Sequence, residues 1–320
     1  MGSPNLSEII TTTLRNRSGK LADNVSKGNA LLMRTRAKGS WKTASGRSIL
    51  QELEYAENGT FMYYSGGEVL NVSASDVMSA AEFDWKQAAC AVTATGLEVD
   101  VQNVGKEAVI DLLEARIKNA ERTMKNNICT GMYSDGTGTS GKQIGGLQLL
   151  VADDPTTGTV GGINRATFSF WQNKTFDATT DGGAAASTTN IQTYMNKLYL
   201  RTSRGADHTD LIMADANYYA LFWGSLQAIQ RISDPKLAEA GFQTVKFSGA
   251  DVVYEDSTGM PADHMYFLNS DYIFLRYAAK RLFKPLDKVQ SINQDAIVQL
   301  ITFAGNMTTS NASLQGVLKD

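Results

Sequence analysis

Residues 106–129, KEAVIDLLEARIKNAERTMKNNIC, limit most strongly what this chain can fold into. Val109, Leu112, Leu113, Ile117, Ala120, Met124 and Ile128 recur at three- and four-residue spacing. That spacing predicts one amphipathic helix with a single apolar stripe. Glu114 with Lys118, and Glu121 with Lys125, place favourable i,i+4 pairs on its wet side. At about 1.5 Å of rise per residue the rod is roughly 36 Å long. That is longer than an ordinary helix, so its stripe needs a sheet or a partner along its whole length.

The 320 residues can bury such a sheet, as one large domain or two. No apolar run approaches the roughly 20 residues that span a bilayer, so no membrane partner is expected. The first residues, MGSPNLSEIITTTLRNRSGK, have no apolar secretory core, and synthesis in the cytoplasm is expected. Cys90 and Cys129 are two unpatterned cysteines and read as reduced thiols in packing slots. Charge is distributed unevenly. Residues 1–47 hold nine bases (Arg15, Arg17, Lys20, Lys27, Arg34, Arg36, Lys38, Lys42, Arg47) against Glu8 and Asp23, a surplus of seven. With a net charge of −3, the remaining chain stands at −10. A basic arm on an acidic body predicts that the arm lies on another surface, a neighbouring subunit or nucleic acid.

Residues 1–45 show weak periodicity and read as an extended arm with a short helix near 6–14. A hairpin follows: one limb at 47–55, a tip at Glu57-Asn58-Gly59, and a return limb at 60–64. Asn-Gly supplies the positive φ that hairpin turns require. The limbs mix Leu, Tyr and Phe with Glu52, Glu54 and Glu57, so neither face is cleanly apolar. Such a hairpin is marginal alone and gains its partner from another subunit. Strands are expected at 83–95, 210–214, 244–247, 252–254, 265–269, 272–276 and 296–308. Helices are expected at 191–203 and at 217–232, the latter stopped by Asp234-Pro235. Residues 131–146, 153–162 and 175–189 read as loops. The order of elements makes the fold class α+β.

The chemical motifs are weak. Residues 136–143, GTGTSGKQ, satisfy seven positions of a phosphate-binding loop, and Gln143 stands where a hydroxyl should hold magnesium. The loop also follows a helix rather than a buried strand. His208 and His264 are the whole histidine supply, each beside an aspartate but in no metal or triad spacing. No catalytic residue, metal set or cofactor is therefore expected, and the chain reads as a non-enzyme.

Three blocks carry a resemblance. Residues 145–173 (GGLQLLVADDPTTGTVGGINRATFSFWQN), 210–232 with 236–242 (DLIMADANYYALFWGSLQAIQRI, KLAEAGF) and 293–318 (NQDAIVQLITFAGNMTTSNASLQGVL) resemble segments of tailed-phage major capsid proteins. The resemblance implies the Hong Kong 97-like capsid fold and a division into four parts. These are an N-terminal arm at 1–45, an extended loop at 46–75, a peripheral domain at 76–145 and 291–310, and an axial domain at 146–290 and 311–320. It implies hexamers and pentamers closing into an icosahedral shell in the virion, assembled in the host bacterial cytoplasm. It implies a portal protein as partner and non-specific, salt-sensitive contact with packaged double-stranded DNA. Some members begin with a long, cleaved scaffolding region; none is long enough before the arm here, so either a separate scaffolding protein or a sequence that starts after processing is expected. Glu52, Glu54, Glu57, Arg34, Arg36 and Lys38 are the candidate subunit-contact residues. The alternatives are an encapsulin-type compartment of the same fold and, on residues 136–142, a nucleotide-binding enzyme.

Overall fold

The computed structural model describes residues 30–98, 112–226, 244–255, 259–286, 289–290 and 295–320. The expected helix at 6–14, the first turns of the long helix and the 236–242 block lie outside the described residues.

Strand Ala296–Thr309 is the axis of the first sheet. One edge pairs antiparallel with Lys86–Thr95, from Ala296↔Thr95 to Gly305↔Lys86 without a break. The other edge pairs with Ile273–Pro285, whose register shifts between Tyr277 and Leu282 and again between Leu282 and Lys284. Such bulges bend a strand and add local twist. Trp41–Thr43 adds a short parallel strand outside Ile273–Pro285, and Val289–Gln290 pairs with Ile297 and Val298.

The long helix runs over Leu112–Met132 and lies on this sheet. Ala120, Met124, Ile128 and Met132, four residues apart, are buried together with Cys129 and share one apolar cluster with Val92, Ile301 and Phe303. The expected stripe is thus met by a sheet of its own chain. Arg116 fixes the helix to the end of strand Lys86–Thr95. Its guanidinium donates to both Glu98 oxygens at 3.1 and 3.2 Å and to the Thr93 carbonyl at 2.9 Å. That bidentate bond, with help from Thr95, lowers the Glu98 pKa to about 2.

The second sheet has six strands in the order Lys174–Asp177, Gly316–Lys319, His264–Leu268, Leu211–Ala214, Ala250–Tyr254, Thr244–Phe247. Side chains alternate across a strand, and here both faces are covered. Ile212, Ala214, Met265, Phe267 and Leu318 face helices Ile191–Arg201 and Ala216–Ser225. Leu211, Met213, Tyr266, Leu268 and Val317 face the cluster that contains the end of the long helix. Two-sided burial explains why Leu211–Ala214 is apolar at every position.

The helix expected at 217–232 spans Ala216–Ser225 and is capped at Leu226, and three further expectations change. Residues 60–64 do not return the hairpin: Ile49–Glu54 pairs instead with Met78–Phe83. Alternation decides this, because Ala81 and Phe83 offer a buried face to match Ile49, Gln51 and Leu53, whereas Phe61, Met62, Tyr63 and Tyr64 are exposed in sequence. Residues 174–177, which overlap the start of the 175–189 stretch read as loop, form an edge strand because Phe176 is buried under the helix Ile191–Arg201. Residues 30–37 are a helix, not extended chain, with Ala30, Leu31, Leu32 and Thr35 buried in the same chain's core. Its first turn is held by the buried carboxylate of Glu255, which accepts from the Leu31 N–H and the Tyr133 hydroxyl, each at 3.1 Å. An acceptor at this end offsets unpaired backbone donors.

The two sheets meet where the long helix ends. The Gly146 N–H donates to the Ser134 carbonyl at 2.9 Å, and a Cβ on Gly146 would stand 2.3 Å from the Met132 carbonyl oxygen. Asn306 closes the same corner, accepting from the Gly145 N–H at 3.0 Å and donating to the Asp84 carbonyl at 2.9 Å. Gly146→Ala should therefore force backbone apart and lower subunit stability by about 1–3 kcal/mol. Urea unfolding followed by circular dichroism reads this directly; an unchanged midpoint would contradict the close approach.

Candidate functional site

The feature of this chain that its own core does not absorb is the excursion between Glu54 and Met78. Six cross-strand pairs form its base, Ile49↔Phe83 through Glu54↔Met78, and the Tyr55 N–H extends them by donating to the Val77 carbonyl at 3.0 Å. The inward set is Ile49, Gln51, Leu53, Ala81 and Phe83. The outward set is Leu50, Glu52, Glu54, Met78, Ala80 and Glu82. Three glutamates thus share one exposed face with two large apolar side chains. Glu82 was not singled out from sequence, because its register opposite Leu50 depends on a pairing that the false return limb concealed.

The base is braced on three sides. Arg276 of the first sheet donates to the Gln51 side-chain oxygen at 2.9 Å. The Trp85 indole donates to the Gly46 carbonyl at 3.0 Å. The Glu82 N–H donates to the Gly161 carbonyl at 2.9 Å, and Gly161, at φ +58, lies so close that an added Cβ would be 2.8 Å from the Ala81 Cβ.

Residues 56–77 form no ladder, only local turns. Asn58 accepts from the Thr60 N–H at 3.0 Å, Glu68 from the Ser65 N–H at 3.1 Å, and Asn71 from the Ser73 N–H at 3.1 Å. The first is the Asx turn that Asn58-Gly59 makes in place of a hairpin turn. Out and back at no more than about 3.5 Å per residue, the excursion reaches at most roughly 38 Å. Its side chains are apolar and wet: Phe61 is 76%, Tyr63 90%, Val69 92% and Val72 90% exposed. A contiguous exposed apolar patch marks an interaction surface. Phe61 and Tyr63 meet edge to face with ring centroids 5.2 Å apart.

Where the excursion leaves the body there is a crevice of about 300 Å³ lined by Glu54, Tyr55, Glu57, Phe170, Trp171 and Arg204. Glu54 and Glu57 therefore stand together, and Glu52 lies on the outward face below them. The basic candidates are not beside them. Arg34 pairs with Asp251 at 3.0 Å, Lys38 pairs with Asp210 at 2.9 Å, and the Arg36 guanidinium lies over the Trp41 ring at 5.6 Å. Hydrogen bonding to Asp210 raises the Lys38 pKa above its ordinary value. The Arg34 and Lys38 pairs dock the helix Ala30–Ala37 and the residue that follows it against the second sheet of its own chain, while Arg36 and Lys38 remain exposed.

The phosphate-loop-like residues take another form. The loop leaves the long helix, closes through an Asp135–Gly145 bridge, and holds Thr139 and Ser140 at positive φ. Lys86 Nζ donates to the Gly141 carbonyl at 2.6 Å, and Lys142 lines an adjoining groove of about 480 Å³ with Met124, Ile128 and Phe303. His208 lies by Tyr199 and His264 by Asp153, on separate elements. Among the described residues no three His, Cys, Asp or Glu side chains group as a metal set.

A family model described as SU10 major capsid protein matches residues 86–317. No curated protein matches. Among solved structures, the capsid asymmetric unit of Cyanophage A-1(L) aligns with a TM-score of 0.66 at 13% identity, covering 96% of each chain. The capsid of Myoviridae phage XM1 aligns at 0.59 and 12% identity, covering 100% of this chain and 99% of that one. The holo-SrpI encapsulin complex from Synechococcus elongatus PCC 7942 aligns at 0.58 and 9%, covering 94% and 91%.

Because the excursion contributes nothing to the core, replacing Phe61 and Tyr63 together by Ser should leave the subunit's stability within about 0.5 kcal/mol of the parent. Urea unfolding of the unassembled subunit checks this. A loss of several kcal/mol would mean the two rings belong to the fold.

Proposed function

The chain belongs to the SU10 major capsid protein family and has the Hong Kong 97-like fold, and from that premise we propose how its surfaces build a shell. It is a phage major capsid protein, a structural component of the virion that assembles into shells of many subunits. Among the described residues no helix is long and apolar enough to cross a membrane. We propose that copies gather as hexamers and pentamers and close into an icosahedral shell around double-stranded DNA. Assembly takes place in the host bacterial cytoplasm, with a separate scaffolding protein and a portal protein as partners. DNA contact is non-specific and weakens with salt, as phosphate-directed binding does.

Within each copy we assign 1–45 to the arm, 46–75 to the extended loop, 76–145 with 291–310 to the peripheral domain, and 146–290 with 311–320 to the axial domain. The two sheets support a two-part body. Strand Ile273–Pro285 lies across the division, because it follows the second sheet's His264–Leu268 and hydrogen-bonds to Ala296–Thr309. The loop's closing strand, Met78–Phe83, falls within the assigned peripheral range, so the hairpin is shared between the two assignments.

The observation that carries the assembly reading is the excursion 56–77, whose aromatic and aliphatic side chains are left in water by a chain that buries such groups elsewhere. A neighbouring copy covers them. Glu52, Glu54 and Glu57 meet basic side chains of that neighbour, with Arg36 and the still-exposed Lys38 among the candidates and the bases of residues 1–29 reinforcing them. Arg34 is committed to Asp251, and its part in a subunit contact is to hold the helix Ala30–Ala37 in place. Each contact is modest; repeated in a closed lattice, they multiply.

The likeness to the encapsulin complex supports a cargo compartment as the second reading, on fold alone. Particles that carry protein and no DNA would favour it. Changing Glu52, Glu54 and Glu57 together to Lys should leave a folded subunit that forms no closed shells in negative-stain electron microscopy. Normal shells from that variant would reject the charge assignment.

A further inference from the structure

His264 opens the strand His264–Leu268, and both of its ring nitrogens are engaged. Nδ1 lies 2.6 Å from the Ala262 carbonyl oxygen. Nε2 lies 3.2 and 3.1 Å from the two oxygens of the Asp153 carboxylate. A carbonyl and an ionised carboxylate are acceptors only, so each nitrogen that binds one must carry a proton. A ring with two N–H groups is the imidazolium ion. Neutral imidazole satisfies one of the two acceptors and turns a lone pair toward the other.

The surroundings leave Asp153 as the carboxylate that faces this ring. Lys319, directly opposite in register on strand Gly316–Lys319, opposes the charge. Asp263 precedes the histidine, and its carboxylate accepts from the Asn217 amide. Asp215, whose backbone N–H donates to the His264 carbonyl, spends its own carboxylate on the N–H groups of Tyr218 and Asp263. The Tyr266 ring lies 6.2 Å away and is not ionised, since burial holds its phenol well above the ordinary range. Burial of His264 disfavours its charge, but the Asp153 and Ala262 bonds outweigh that, and its pKa stands above the ordinary histidine value.

Asp153 belongs to the segment that braces the projecting hairpin. Eight residues on, the Gly161 carbonyl takes the Glu82 N–H. Between them the Val160 carbonyl takes the Trp171 indole N–H at 2.9 Å, and before them the Leu150 carbonyl takes Arg165 at 2.6 Å. The histidine thus ties the second sheet to the brace, and the brace to the base of the excursion.

We propose that His264 and Asp153 form a proton-operated clamp that fixes residues 151–162 to the second sheet and thereby stiffens the hairpin base. It is engaged in acid and released as the ring loses its proton. The sign follows from linkage: a group whose pKa is raised by folding stabilises fully below its unfolded pKa, and that contribution is lost as pH rises through the folded one. The clamp is a property of the single subunit, so it stands or falls independently of the assembly reading.

Amide hydrogen exchange read by mass spectrometry on the full-length unassembled subunit tests it, between about pH 5 and about pH 8.5 after correction for intrinsic rates. In the parent, peptides covering 151–162 and 78–83 should open about fivefold more often at the alkaline end than at the acid end. His264→Gln, which stays neutral throughout, should show no such step; Asp153→Asn should abolish it as well and serves if the first variant does not fold. The His264 ring proton resonance should titrate above the ordinary histidine value in the parent. An identical pH response in parent and variants, or a ring that titrates at or below the ordinary value, would overturn the clamp.

Discussion

Strand Ala296–Thr309 is the constraint on which the rest depends. It is hydrogen-bonded along both edges, to Lys86–Thr95 and to Ile273–Pro285, so its register sets the positions of both partners. A slip of one residue would exchange the strand's two faces, both of which are buried from Ile301 to Thr309. The long helix packs on the face that this register creates, and Asn306 from the same strand holds the Gly145 turn where the two sheets meet. The hairpin inherits its position too, because Arg276, opposite Asn306, is the residue that grips Gln51. Remote pairing of this kind, with partners some two hundred residues apart, forms late and costs loop entropy before it is rewarded.

The second sheet solves a different problem. Covered on both faces, it joins two apolar clusters through single strands, with Leu211 and Met213 on one side and Ile212 and Ala214 on the other. Movement of that sheet is felt by the helices above it and by the end of the long helix below it. The buried Glu255 lies at the same junction and connects the helix Ala30–Ala37, the long helix's end through Tyr133, and the strand Ala250–Tyr254.

Much of this was legible in the residues. The helix read at 106–129 from its three- and four-residue spacing, the short apolar or β-prone runs read as strands at 210–214, 265–269 and 296–308, and the α+β order all overlap observed elements. The misreadings share a cause: local signals that distant burial overrode. Asn58-Gly59 is a good turn, but a hairpin closes where a second alternating face exists, and Ala81 and Phe83 provide it. Phe176 in a polar stretch and Leu31 in a basic one look unremarkable until a helix or a sheet far along the chain covers them. The candidate residues divide in the same way. Glu52, Glu54 and Glu57 were singled out because they sit among Leu, Tyr and Phe on a hairpin with no cleanly apolar face, and all three are exposed. The partners of Arg34 and Lys38, Asp251 and Asp210, lie too far along the chain for any spacing rule to reach.

The wet aromatic excursion has one more consequence. A subunit that keeps Phe61, Tyr63, Val69 and Val72 in water carries, when alone, uncovered apolar surface that association removes from solvent. Its association then resembles condensation, in which a threshold concentration separates a dilute solution from a growing ordered phase. The same side chains do not distinguish an ordered neighbour from a random one, so disordered precipitation competes at every concentration above that threshold. Order is then favoured to the extent that other groups on the two surfaces penalise misaligned copies before the apolar groups meet.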